Sequence, residues 1–180
     1  MSRIQIAKLP DMDVEQWHLA VDGRILGLTL TRPGMSAQLQ VIGVNQHVAS
    51  DENAQLRGIL LSTLAHTKED ILIKGGLLVC LGDFNAAPEG GRWGYSRQSK
   101  TWAADRLTSG WASQHTFCEV LSEPLRATWK ACLLDKKAAL DRAWVSPMTL
   151  PTSSLLVQWA DSQPVFDHAI IMLRLPNTIA

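Results

Sequence analysis

The chain has 180 residues, of which 46% are hydrophobic and 19% charged, the composition of an ordinary globular protein with room for one core and little for two. Its 17 Lys and Arg balance 17 Asp and Glu, which excludes a global field steering it toward nucleic acid or membrane. Cys80, Cys118 and Cys132 are odd in number and lack the close pairs of a structural zinc site, so they read as reduced thiols.

The N-terminal stretch MSRIQIAKLPDMDVEQW has no apolar core of a signal peptide, and nowhere do eighteen apolar residues run together. The expectation is an intracellular chain without a membrane span. Arg24–Leu30 and Leu39–Val48 are β-rich runs around the turn signal Pro33-Gly34, which predicts a hairpin. Ser50 or Asp51 is placed to cap a helix carrying Leu56, Ile59, Leu60 and Leu64 on one face. Gly75-Gly76 ends that unit, and Leu77–Leu81 follows as a short apolar run, the pattern of a strand buried on both faces.

Asn85–Gln98 reads as a loop, Trp102–Trp111 and Gln114–Leu121 as short helices. Arg126–Trp129, Ala139–Val145, Ser154–Trp159 and Val165–Leu173 read as strands. Strands that mostly neighbour one another, with few helices, predict a mixed α/β (α+β) sheet architecture in one unit spanning 1–180. Between Arg92 and Arg142 nine Lys and Arg face five Asp and Glu, against seven and ten in residues 1–91. That excess is either a phosphate-facing surface or a solvated face.

Four short segments carry polar groups where chemistry is possible. Gly82-Asp83-Phe84-Asn85 follows the buried run directly; strand alternation would present Asp83 and Asn85 together while Phe84 turns to the core. An Asp/Asn turn explains the same residues. Asp167-His168 opens the apolar run Ala169–Leu173, Asn45 and His47 share a face at a strand end, and Asp141-Arg142 precedes Ala143-Trp144-Val145. Taken singly, each of these three is better explained by structural polarity, the last by a salt-linked edge.

In combination, the order GDFN, then TWK and LDRAWVS, then FDHAII resembles the endonuclease/exonuclease/phosphatase superfamily, over roughly Arg24 to Leu173. That group includes abasic-site endonucleases, pancreatic-type deoxyribonucleases, inositol phosphatases, sphingomyelinases and LINE-type retrotransposon endonucleases. The resemblance implies a partial β-sandwich flanked by helices and a metal-assisted attack of water on a phosphodiester. It implies catalytic roles for Asp83, Asn85, Asp141, His168 and His47, with Asp141 holding the second nitrogen of His168. Asp167 and Asp83 would lie beside a Mg²⁺ or Mn²⁺ ion. Asn45, Arg92, Trp93 and Arg97 would contact a DNA or RNA substrate, the last three in a loop where basic and aromatic residues interleave.

The superfamily's strand ending in Gln-Glu, whose Glu is its main metal ligand, has no counterpart; Glu15-Gln16 is in the reverse order. The expectation is therefore an N-terminally truncated domain that needs the absent half or self-association. Its function would be that of a nucleic-acid endonuclease fragment, a non-catalytic remnant of one, or a phosphatase of the same fold.

Overall fold

The structure, a computed structural model, describes residues 13–18, 23–31, 33–34, 37–48, 50–86, 106–122, 127–130, 137–147, 153–158 and 167–174. Its strands are β1 (Asp13–His18), β2 (Ile25–Thr31), β3 (Leu39–Asn45), β4 (Leu77–Asp83), β5 (Cys118–Val120), β6 (Trp129–Lys130), β7 (Lys137–Ala138), β8 (Asp141–Val145), β9 (Ser154–Gln158) and β10 (Ile170–Arg174). Its helices are α1 (Ala54–Ile73) and α2 (Arg106–Gln114). Six strands form one sheet in the order β1-β2-β3-β4-β8-β5, and β9 with β10 and β6 with β7 form two-stranded ribbons.

Pro33-Gly34 turns β2 back onto β3 as the sequence predicts, and the pair is antiparallel. From β3 the chain crosses through α1 and returns parallel as β4. The helix stops in two hydrogen bonds, Gly75 N–H to the Leu72 carbonyl and Gly76 N–H to that of Ile71, with Gly75 at φ 72° where a side chain would be strained. Its start differs from the prediction: Asn53, not Ser50 or Asp51, is the N-cap residue, held by its Nδ2 donating to the Val48 carbonyl.

The buried face of α1 also differs from the spacing argument. Arg57, Leu60, Leu61, Leu64, Ala65, Lys68 and Ile71 face inward, while Leu56 and Ile59 are exposed. Two charged residues sit at buried positions because distant groups satisfy them. Lys68 Nζ bonds the His115 carbonyl and Thr116 Oγ1 and lies over the Phe117 ring. Leu60 and Leu64 are fully buried, and truncating either costs about 2–5 kcal/mol of stability.

β4 is the axis of the molecule. Leu78 and Cys80 pack on the helix side with Ile42, Leu60, Leu64, Phe84 and Trp144. Val79 packs on the other side with Leu28, Leu30, Val41, Val145 and Leu155, covered by Ile171 and Leu173 of β10. The run is thus buried on both faces, and the layers are helices, six-stranded sheet and ribbon. The ribbon's outer face carries Leu156 opposite Met172, with Ile170 beside them, all exposed.

Three further expectations are corrected. Residues 114–121 do not form a helix: α2 ends at Gln114, a turn follows at His115-Thr116, and Cys118–Val120 is an edge strand on β8. Asp13–His18, for which the sequence predicts no element, is the opposite edge strand, paired with β2. Asp141 and Arg142 open β8, inside the strand predicted over Ala139–Val145, but β8 is interior between β4 and β5, so the pair is not a salt-linked edge. Arg142 pairs with Glu119 and lies over the Trp144 ring, leaving Asp141 to other partners.

Candidate active site

The parallel pair β3 and β4 ends with Asn45 opposite Asp83, at the C-terminal ends of both strands. Gly82, one residue earlier, has φ 137°, and a Cβ there would stand 2.2 Å from the Val44 carbonyl oxygen. Only glycine lets the two strands close up at this point. Beyond Asp83 the chain leaves the sheet: Asn85 has φ 47°, and its N–H donates to Asp83 Oδ1 at 2.8 Å. Asp83 and Asn85 therefore meet through an Asx turn, not through strand alternation, because the strand has already ended. Phe84 does turn to the core, its ring 4.3 Å from that of Trp144.

The Asn85 side chain is held at its nitrogen. Nδ2 donates to the Gln46 carbonyl at 2.7 Å and to Asp83 Oδ2 at 3.2 Å. Both partners are acceptors, so the amide orientation follows from chemistry and its two hydrogens are engaged. Oδ1 takes no part in these two bonds.

On the other side of Asp83, β8 brings Asp141 into register opposite it. His168 Nδ1 donates to Asp141 Oδ2 at 2.9 Å, and His168 Nε2 lies 3.9 Å from Asp83 Oδ2. The imidazole thus stands between two carboxylates, bonded to one and within ion-pair range of the other.

One segment sets this arrangement. Thr128, 2% exposed, accepts at Oγ1 from the backbone N–H groups of Leu140 (3.0 Å) and Asp141 (2.9 Å). Its carbonyl accepts from Ala169 N–H, the Lys130 N–H donates to the Asp167 carbonyl, and Trp129 bridges His168. Residues 128–130 therefore hold the acid and the imidazole from one strip of backbone. The sequence pointed to Thr128-Trp129 as a strand and gave no sign of the hydroxyl's role, whose partners are 12 and 13 residues away.

The charges shift accordingly. Asp83 is pushed up from 3.8 to about 6, first by burial and then by the Asp141 and Asp167 charges, against the Asn85 N–H bond and His168. The His168 imidazole is raised above 6.5 mainly by its bond to Asp141, against burial. The Asp141 carboxylate thus favours the protonated form of the imidazole beside Asp83.

Asp167 is exposed beside His168, and His47 is half-buried two residues past β3. Asn45 belongs to the same sheet end, its carbonyl bonded by Arg24 Nη1 at 3.1 Å. Arg92, Trp93 and Arg97 lie outside the described residues. Among the described residues no three His, Cys, Asp or Glu side chains are grouped to hold a metal ion, and both Asp83 oxygens already accept from Asn85.

Scans against protein-family models and curated protein sequences return no match. Solved structures do match. A 3'-5' exonuclease from Neisseria meningitidis superposes with a TM-score of 0.66 at 18% identity, over 91% of this chain and 70% of that one. The chain has the endonuclease/exonuclease/phosphatase fold. The endonuclease domain of TRAS1, a telomere-specific non-LTR retrotransposon, matches with a TM-score of 0.61 at 16% identity, over 92% and 69% of the two chains. The Xenopus laevis APE2 catalytic domain matches with a TM-score of 0.53 at 15% identity, over 85% and 56%. Among the described residues no helix is long and apolar enough to cross a membrane.

Proposed function

We propose that this chain is a phosphodiester-cleaving domain acting on nucleic acid. The observation that carries the reading is His168 fixed by Asp141 at 2.9 Å with its other nitrogen turned to Asp83. A protonated His168 Nε2 donates to a non-bridging phosphate oxygen and stabilises the charge that grows there as water adds. Asp83 takes the proton from that water, and Asn85 Oδ1 accepts its second hydrogen, which aims the oxygen at phosphorus. As the new P–O bond forms, the ester P–O bond opposite breaks, and solvent protonates the leaving alkoxide. His47 and Asn45 border the same sheet end and serve to orient the substrate strand.

Nucleic acid is favoured as substrate because a structural neighbour from Neisseria is described as a 3' phosphatase bound to a product DNA hairpin, and another as a retrotransposon endonuclease domain. Plasmid nicking by the purified chain, with Asp83→Ala and His168→Ala beside it, tests the reading. A second reading, a nucleic-acid-binding domain without turnover, is favoured by one observation: no metal-holding group among the described residues. Anisotropy titration with labelled duplex and single-stranded DNA separates the two, since binding without cleavage supports only the second.

A further inference from the structure

On the helix side of the sheet, directly behind the site, three polar side chains from three elements meet in an otherwise apolar layer. Gln46, the first residue past β3, is fully buried, and its Oε1 accepts from Thr108 Oγ1 of α2 at 3.4 Å and from Arg57 Nη2 of α1 at 3.5 Å. Arg57 Nη2 also donates to Thr108 Oγ1 at 3.0 Å, and both residues are buried. Leu60, Leu61, Phe84, Ala86 and Trp111 belong to the same layer.

Cohesion alone does not account for the triangle. Two of its bonds are long, and Gln46 Nε2 has no partner among the described residues. Apolar side chains of similar volume would hold the layers together at least as well. What the triangle grips is the Gln46 backbone. The Gln46 N–H donates to the Asp83 carbonyl at 2.7 Å, and the Gln46 carbonyl accepts from Asn85 Nδ2 at 2.7 Å. This peptide lies just past the last residue of the regular β3 ladder, so the buried side chain is what adds to its hold.

We infer that Gln46, Thr108 and Arg57 form a positioning device that fixes the Gln46 carbonyl and, through it, which end of the Asn85 amide faces the substrate. None of the three touches the reacting atoms. The inference rests on the proposed function only for what Asn85 does once it is oriented.

The test reads the Asn85 side-chain amide in the ¹⁵N-labelled chain, its signal identified by loss in Asn85→Ala. Thr108→Val removes the hydroxyl at constant shape, Thr108→Ser restores it, and Leu64→Ala loosens the same core without touching the triangle. The inference predicts that Thr108→Val shifts the Asn85 signal and speeds its solvent exchange by about tenfold, the effect of one net hydrogen bond. Thr108→Ser should return both to the wild-type values, and Leu64→Ala should lower stability with the signal in place. Where cleavage is measurable, Thr108→Val should lower kcat and leave KM unchanged. If Thr108→Val does not fold, Gln46→Met, which keeps the side-chain length, carries the same reading. An Asn85 signal that is unmoved in a folded triangle variant, or moved equally by Leu64→Ala, overturns the inference. The amide readout needs no turnover, so a chain that never cleaves counts against the proposed reaction alone.

Discussion

Asp141 and His168 are 27 residues apart in sequence and 2.9 Å apart in space, and Thr128 ties together the segments that carry them. The acid is aligned by the Thr128 hydroxyl and the imidazole by the main chain of the same strip. The dyad is therefore a product of sheet geometry rather than of local sequence.

Asp141→Asn should lower the His168 pKa, because the bond to Asp141 is the main cause of its rise. The stabilisation from the protonated pair is full below the ordinary value of 6.5 and is lost as pH rises through the raised folded value. NMR titration of His168 in both proteins checks this. Equal midpoints contradict the pairing.

Asp83 works in the opposite sense. Its folded value of about 6 exceeds 3.8, so the buried carboxylate lowers stability above about pH 6, and that cost is relieved as pH falls toward 3.8. Asp83→Asn should then be more stable than wild type at pH 8 and lose that advantage at pH 4, measured by urea unfolding at both. A variant that is less stable at pH 8 contradicts the burial argument.

Thr128→Val leaves two N–H groups, the buried one of Leu140 and the part-buried one of Asp141, without their acceptor. The expected loss is about 1–3 kcal/mol of stability, together with a lower His168 pKa as Asp141 loses its alignment. Urea unfolding and His168 titration measure the two effects. A loss of stability with His168 unchanged would show that Thr128 supports the sheet and not the dyad.

The outer face of the β9–β10 ribbon exposes Leu156 at 47%, Ile170 at 57% and Met172 at 42%. Side chains of this kind in one row favour association. The chain should self-associate or bind a hydrophobic dye, and Ile170→Lys with Met172→Lys should reduce both. A monodisperse, dye-silent wild-type chain in light scattering contradicts this expectation.

The sequence made β4 and its exit legible because a short apolar run followed by Gly-Asp-Phe-Asn has few other ways to fold. It made the hairpin legible through Pro33-Gly34. Edge strands were harder: Asp13, Val14 and Glu15 are all exposed, so β1 carries little apolar pattern, and β5 has only three residues. The inward face of α1 was misread because Arg57 and Lys68 occupy buried positions that spacing assigns to apolar residues. Their partners lie 51 and 47 residues away, and no local window contains both ends. Gln46 and Thr128 escaped the sequence reading for the same reason.

The most direct test of the site is plasmid nicking by wild type, Asp83→Ala and His168→Ala, purified in parallel and assayed with Mg²⁺, with Mn²⁺ and with EDTA. The account predicts measurable nicking by wild type. It predicts a loss of about 10²–10⁴ in rate for Asp83→Ala as the base is removed. It predicts a loss of about 10²–10³ for His168→Ala as the oxyanion donor is removed. Nicking that persists unchanged in both variants, or is absent from wild type under every condition, would contradict it.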